Sequence, residues 1–221
     1  MADYQIRKYQ NSDYEVARDI FVAGMNEYIS AAFLHVTRQW WNLVVLLTVI
    51  FLLFLTSGSF FMATLGMVFA LGGERLCFTY AWRRYIDQTL KADLQDIQRS
   101  YMEGDVSCFW VVECSGDIIG TVAARPAAET LNELELKRMS VRRAWRGRGI
   151  AKALCRTVID FARQKGYKAV VLNVTFVQHE AQQLYEGLGF LKCQEYFAQT
   201  VFGKWSNFRV FKYRYSILGN S

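Results

Sequence analysis

No GxxxxGK(S/T) run occurs in this chain, which excludes the nucleotide P-loop. The dinucleotide fingerprint GxGxxG fails as well, because the third position after Gly149 is Lys152. Cys77, Cys108, Cys114, Cys155 and Cys193 include no CxxC pair, so neither a zinc site nor a thioredoxin-like dithiol is expected, and no other metal is implied. Odd in number and scattered, they fit a reducing compartment in which each acts as a small hydrophobe. The opening Met1–Lys8 is polar and has no apolar core region, so no cleavable signal peptide is expected. The net charge is +6, yet no recognised nucleic-acid reading module accompanies it, and no nucleic-acid contact is required. The longest absence is of charge itself: from Gln39 to Gly73 no residue carries one.

What is present begins with a strand, a glycine turn and a helix. Leu136 to Val141 is a short run with apolar residues at Leu136, Met139 and Val141, followed closely by Arg146-Gly147-Arg148-Gly149-Ile150-Ala151. Two glycines two apart let the backbone turn sharply and approach a ligand closely, since neither has a Cβ. Ile150, Leu154, Val158 and Phe161 then repeat at the spacing of one helical face. A turn that opens a helix offers unpaired N–H groups and the positive end of the helix dipole, which suits a diphosphate. Arg142, Arg143, Arg146, Arg148, Lys152 and Arg156 crowd this turn. Such charge runs are usually solvated helix faces. Beside a phosphate turn they read instead as partners for phosphate oxygens.

The uncharged stretch reads as an insertion. A single helix over residues 39–73 would reach about 52 Å, well beyond a hydrocarbon core of about 30 Å. Thr56-Ser57-Gly58-Ser59 divides it into limbs Trp41 to Leu55 and Phe60 to Leu71, each too short to span comfortably. A helical hairpin dipping into a lipid bilayer fits best, with Trp40 and Trp41 suited to an interfacial belt. Tyr4 to Tyr9 reads as a strand, and Ser12-Asp13-Tyr14-Glu15 as a capping box leading into a helix. After the insertion, Tyr85 to Tyr101 carries one apolar helical face. Ser107 to Glu113 and Ile118 to Ala124 flank a hairpin turn at Cys114-Ser115-Gly116-Asp117. The expected division is residues 1–38, the hairpin 39–73, and the remainder 74–221. The first strand must join the later strands, so both ends of the hairpin lie on one side of a membrane. Arg38 before it and Arg75, Arg83 and Arg84 after it place that side in the cytosol.

Downstream of the glycine turn come Val170-Val171-Leu172-Asn173-Val174 and Ala181-Gln182-Gln183-Leu184-Tyr185-Glu186-Gly187-Leu188-Gly189-Phe190. With Arg146 to Ala151 upstream, these segments resemble the two signatures of the GNAT superfamily of acetyl-CoA-dependent N-acetyltransferases. An apolar hairpin between the first two helices narrows the resemblance to the camello family of membrane-bound relatives. The opening Met1 to Tyr9, Ser107 to Val111 and Thr157 to Arg163 also resemble that family. The resemblance implies an α/β fold: a mixed sheet whose central parallel strands, here Leu134–Val141 and Lys168–Val174, splay to admit the pantetheine arm. It further implies that Met139, Ser140 and Val141 meet pantetheine through the backbone. Arg146, Gly147, Arg148, Gly149, Ile150 and Ala151 would cradle the pyrophosphate, and Asn173 and Gln178 would orient the cofactor. The superfamily pattern commonly carries Gln or Arg where this chain has Ala144, so one side-chain contact is missing while the backbone donors remain.

Acetyl transfer to an amine needs a proton removed from the amine, a polarised thioester carbonyl and a stabilised thiolate. The resemblance makes Tyr185 the general acid. Strand alternation puts Glu133, Glu135, Lys137, Met139 and Val141 on one face and Leu134 and Leu136 on the other. Glu135 is the expected base, with Glu133 or a water relay as the alternative; His179, at a helix start, reads as structural. Arg125 to Glu133 and Ala198 to Asn207 are expected to border the acceptor site. The acceptor is a primary amine, either a protein lysine or an amino-acid or cysteine conjugate, and the location an endoplasmic reticulum or Golgi membrane. The competing reading is a membrane protein that uses this fold without turnover and affects cell adhesion and gastrulation movements.

Overall fold

The computed structural model describes residues 4–128, 130, 132–197 and 207–217. A seven-stranded sheet organises it. In space the order is β1 (Gln5–Lys8), β2 (Cys108–Cys114), β3 (Asp117–Pro126), β4 (Glu133–Val141), β5 (Ala169–Thr175), β7 (Arg209–Ser216) and β6 (Leu191–Phe197). All neighbours are antiparallel except β4 and β5. A parallel pair requires a crossover, and α5 (Ile150–Gln164) supplies it. Ser115 and Gly116 both take positive φ, the geometry of a two-residue hairpin turn, and join β2 to β3 as their sequence predicts.

The sheet is covered on both faces. On one, Leu154, Val158 and Ala162 of α5 pack against Leu134, Leu136, Val170 and Leu172. On the other, Ala17, Ile20 and Phe21 of α1 (Tyr14–Asn26) meet Ile86, Tyr101, Phe109 and Ala123. The reciprocal cap before α1 is not the Ser12–Glu15 box. Arg7 grips both oxygens of Asp13 at 2.7 and 2.9 Å, and Asp13 in turn accepts the Gln10 N–H at 2.9 Å.

Between β1 and β2 lie three further helices: α2 (Ile29–Thr37), α3 (Trp40–Ser57) and α4 (Phe60–Ala92). Gly58 turns the chain at φ +62° between α3 and α4, inside the segment where small residues predict a turn. The limbs are longer than expected. An 18-residue α3 reaches about 27 Å, and α4 continues without a break through the amphipathic stretch read as a separate helix starting at Tyr85. Gly72 and Gly73 fail to interrupt it, because a mid-helix glycine costs only about 1 kcal/mol and no proline follows. That amphipathic helix also stops short of Tyr101: α4 ends at Ala92, and Gln98–Met102 forms a separate π-turn. Both α3 and α4 are long and apolar enough to cross a membrane, and only 6% of the most apolar window in each is buried. Exposed Leu47, Phe51, Leu55, Phe60, Phe61, Val68 and Phe69 make their surface oily. The two helices approach closely, so that a Cβ at Gly66 would meet Leu53. Their bases are clasped where the Asn42 amide donates to Glu74 at 2.7 Å.

Candidate active site

β4 and β5 pair at only three positions, Glu133 with Ala169, Leu134 with Val170, and Glu135 with Val171. Beyond Glu135 they part, while β4 stays bonded to β3 through Ser140 and Val141. One backbone edge of Leu136 to Val141 therefore faces a wedge-shaped gap without a partner strand. Beside the wide end of that gap lies the glycine turn. Gly147 (φ +75°) and Gly149 (φ +81°) both adopt the left-handed conformation, and open space lies where their Cβ atoms would point. Gly149 caps α5, so the first N–H groups of Ile150 and Ala151 have no acceptor within the helix. The unpaired edge of β4 thus leads directly into the turn.

The basic residues divide. Arg146 is already engaged: its Nε donates to Val141 O at 3.0 Å, and its two terminal nitrogens donate to Glu27 at 2.7 and 3.1 Å. Arg142 donates to Ile118 O at 3.0 Å, and Arg148 stacks over Trp145. Lys152 and Arg156, with Arg163, instead line a groove of about 370 Å³ between α5 and the loop after α6 (His179–Gly187). At the turn itself the backbone, more than Arg146, is available to an anion.

Tyr185, on α6, is buried against Phe190 and Tyr213, with ring centroids 5.6 and 6.3 Å away. Burial, helped by the neighbouring Cys155 and Tyr28, pushes its hydroxyl well above the ordinary tyrosine range. It is a protonated donor at neutral pH. Gln178 accepts from the Thr175 N–H at 2.9 Å and the Thr175 hydroxyl at 3.0 Å, so its amide oxygen holds the turn into α6. His179 is exposed at the first position of that helix.

The two candidate bases differ in their surroundings. Burial alone would raise the Glu133 carboxyl, but Thr130 at 2.6 Å and Arg214 at 2.8 Å hold it below its ordinary range. A carboxylate so held is a poor proton acceptor. Glu135 lies 3.4 Å from Lys137, 3.9 Å from Arg125 and 3.4 Å from the Asn173 amide, which also accepts from Tyr196 at 3.0 Å. Burial lowers the Lys137 ammonium, an effect that Glu135 opposes.

The alternation expected along β4 holds only as far as Lys137. Arg138 takes φ +52°, and the β3–β4 register slips at the same point. One extra residue in a strand moves every later side chain to the opposite face. Val141 therefore joins Leu134 and Leu136 in the core beneath α5, and Met139 packs there with its sulfur 3.5 Å from the Cys155 thiol. Neither shares a face with Glu135. The Ser140 hydroxyl donates to Ile20 O in α1 at 3.2 Å.

Three groups near the site carry no sequence signal. Glu27 and Tyr28 reach it from the junction of α1 and α2, and Tyr28 is hydrogen-bonded to Gln178. An aromatic run from the hairpin base (Phe33, Phe78, Trp82) continues through Phe208 and Phe176 to His35, with successive centroids 4.1 to 6.4 Å apart. It seats the hairpin base against the end of β5, beside the gap. Of the two expected acceptor borders, Ala198 to Ser206 lies outside the described residues.

Over residues 74–190 the chain matches the family described as acetyltransferase (GNAT) family. It is 39% identical over 219 residues to mouse (Mus musculus) N-acetyltransferase 8F1, covering 98% of each chain. It is 36% identical over 217 residues to the probable N-acetyltransferase camello of Xenopus tropicalis, covering 98% of this chain and 99% of that one. Among solved structures, a GNAT-family acetyltransferase from Staphylococcus aureus Mu50 superposes with a TM-score of 0.59 at 16% identity, covering 97% of this chain and 99% of the other.

Proposed function

Since this chain belongs to the GNAT acetyltransferase family, among the N-acetyltransferase 8 and camello relatives, we propose that it transfers acetyl from acetyl-CoA to a primary amine at a membrane. The observation that carries the reading is the unpaired edge of β4 running into the left-handed turn at Gly147 and Gly149. An extended pantetheine arm can add to that edge as a strand would, and a diphosphate can take the free N–H groups at the start of α5. Lys152 and Arg156, in their groove, are cations available to the 3′-phosphate that coenzyme A carries besides its diphosphate. Met139, Ser140 and Val141 act through their backbone, since their side chains are turned to the core or to α1.

In the reaction the amine nitrogen bonds to the acetyl carbon, the carbon–sulfur bond breaks, and the amine's proton must leave. Glu135 receives it directly or through water. Its neighbours Arg125, Lys137 and Asn173 hold it in place, so the gain comes from position. A backbone N–H of the Met139–Val141 segment holds the carbonyl oxygen. Tyr185 donates a hydrogen bond to the departing thiolate. An ordinary thiol has a pKa of about 8.5, below that of this tyrosine, so the hydroxyl keeps its proton and stabilises the sulfur by a hydrogen bond, and the departing thiolate takes its proton from solvent.

The acceptor is a lysine side chain or the α-amine of an amino-acid conjugate. Incubating the full chain with labelled acetyl-CoA and a panel of lysine peptides, S-substituted cysteines and acidic amino acids tests this. Label in one class, with equimolar free thiol, is expected; thiol release without any labelled amine counts against the reading.

The same reading places α3 and α4 in the bilayer of the endoplasmic reticulum or Golgi as a hairpin. β1 pairs with β2 across it, so both ends lie on one side, and the flanking Arg38, Arg75, Arg83 and Arg84 favour the cytosol. Because Asn42 and Glu74 touch at the base, a short Gly/Ser linker can replace residues 41–71 without stretching the sheet. The shortened protein should no longer sediment with membranes; continued sedimentation after a carbonate wash would sink the anchor assignment.

A further inference from the structure

The bulge that turns Met139 to Val141 is supported from an unexpected quarter, the far end of the helix that carries the hairpin. Arg138 sits in the left-handed region at φ +52°, a conformation that disfavours any residue with a Cβ relative to glycine. Its guanidinium makes a two-pronged contact with Asp93, Nε to Oδ2 at 2.9 Å and Nη2 to Oδ1 at 2.5 Å. Asp93 is the residue that ends α4. The Tyr101 hydroxyl donates to the same carboxylate, and the guanidinium lies over the Phe21 ring of α1, 5.1 Å from its centroid. The backbone is held too, for the buried Thr121 hydroxyl donates to Arg138 O at 3.0 Å. Asp93 and Tyr101 are themselves buried. Burial would raise the Asp93 carboxyl, yet Arg138 and Tyr101 keep it below its ordinary range, so the pair is ionised and satisfied.

A buried ion pair adds little to stability compared with well-packed apolar groups, and its clearest uses are in fixing one geometry. Here the geometry fixed is a strand bulge three residues after β4 leaves β5. We propose that Asp93, Tyr101 and Arg138 are positioning residues for acetyl-CoA: they hold β4 in its left-handed bulge, set the Met139–Val141 backbone at the gap, and tie that setting to the end of the hairpin helix. The proposal rests on the reading that the gap holds acetyl-CoA.

The test separates the side chain from the backbone conformation it supports. Removing one partner alone would strand a buried charge, so both are changed, in full-length protein in detergent. Asp93→Asn with Arg138→Gly removes the pair but leaves a residue content at positive φ. Asp93→Asn with Arg138→Ala removes the pair and the tolerance together. The alanine double variant is expected to bind acetyl-CoA about tenfold more weakly than the glycine double variant by calorimetry, with acceptor KM unchanged between them. Arg138→Lys, which keeps the charge and loses the two-pronged contact, gives a second reading if the doubles unfold: acetyl-CoA affinity falls several-fold while acceptor KM holds. Gly149→Val serves as the reference for the site itself. If Gly149→Val weakens binding while the two doubles match each other, or Arg138→Lys matches the parent, the positioning role is wrong. If Gly149→Val leaves affinity unchanged, the gap reading fails and this proposal with it.

Discussion

Tyr185→Phe is expected to lower kcat by about 10²-fold, the usual contribution of a positioned acid, with little change in acetyl-CoA affinity. The substitution removes one oxygen and leaves the ring, so the packing against Phe190 and Tyr213 survives and the fold should not notice. What is lost is the hydroxyl proposed to meet the thiolate. Burial keeps that hydroxyl protonated well above pH 10, which fixes a second expectation. Between about pH 7 and 9 the parent and the variant should show parallel profiles, because Tyr185 does not titrate there and the acceptor amine governs both. Steady-state rates at saturating acetyl-CoA measure this. A variant that turns over at the parent rate shows that the thiolate is stabilised by another group; a ratio that collapses near pH 9 shows that the tyrosine ionises in the working range.

Gly149→Val should weaken acetyl-CoA binding by about tenfold or more, from two causes acting together. At φ +81° a β-branched residue is strained by about 1–3 kcal/mol. Its side chain would also fill the open space over the turn, where the diphosphate must come close. The strain alone is not the claim, and Gly166 provides the control. It takes φ +76° at the opposite end of α5, likewise with open space around it. Gly166→Val should lose similar stability in thermal unfolding while keeping its acetyl-CoA affinity. Equal loss of affinity in both variants would mean that the effect is general to α5 and says nothing about phosphate.

Much of this architecture is legible in the residues. The strand, glycine turn and helix from Leu136 to Phe161 combine a hydrophobic repeat with residues that only one backbone geometry suits, and local physics decides such segments. The same holds for Ser115-Gly116 between β2 and β3, and for Gly58 at the tip of the hairpin. The misses share a cause. Nothing in Arg138 announces a positive φ, since its bulge is held by Asp93 and Tyr101, distant in sequence; simple alternation therefore puts Met139 and Val141 on the wrong face. Glu133 stands as the alternative to Glu135 until Arg214 arrives from β7. Arg146 looks like a phosphate ligand until Glu27 takes its guanidinium. In each case a tertiary partner overrides a local preference, and the partner is not visible along the chain.

Acetyl-CoA is proposed to lie along β4 and to end at the glycine turn. Hydrogen–deuterium exchange of the full-length protein, with and without acetyl-CoA, tests it most directly, because the proposed contacts are backbone amides. Added acetyl-CoA should slow exchange at Met139 to Val141 and at Gly147 to Lys152, and leave β1, β6 and the hairpin helices as they were. Protection confined to other segments, or none at saturating acetyl-CoA, would rule out this placement of the cofactor.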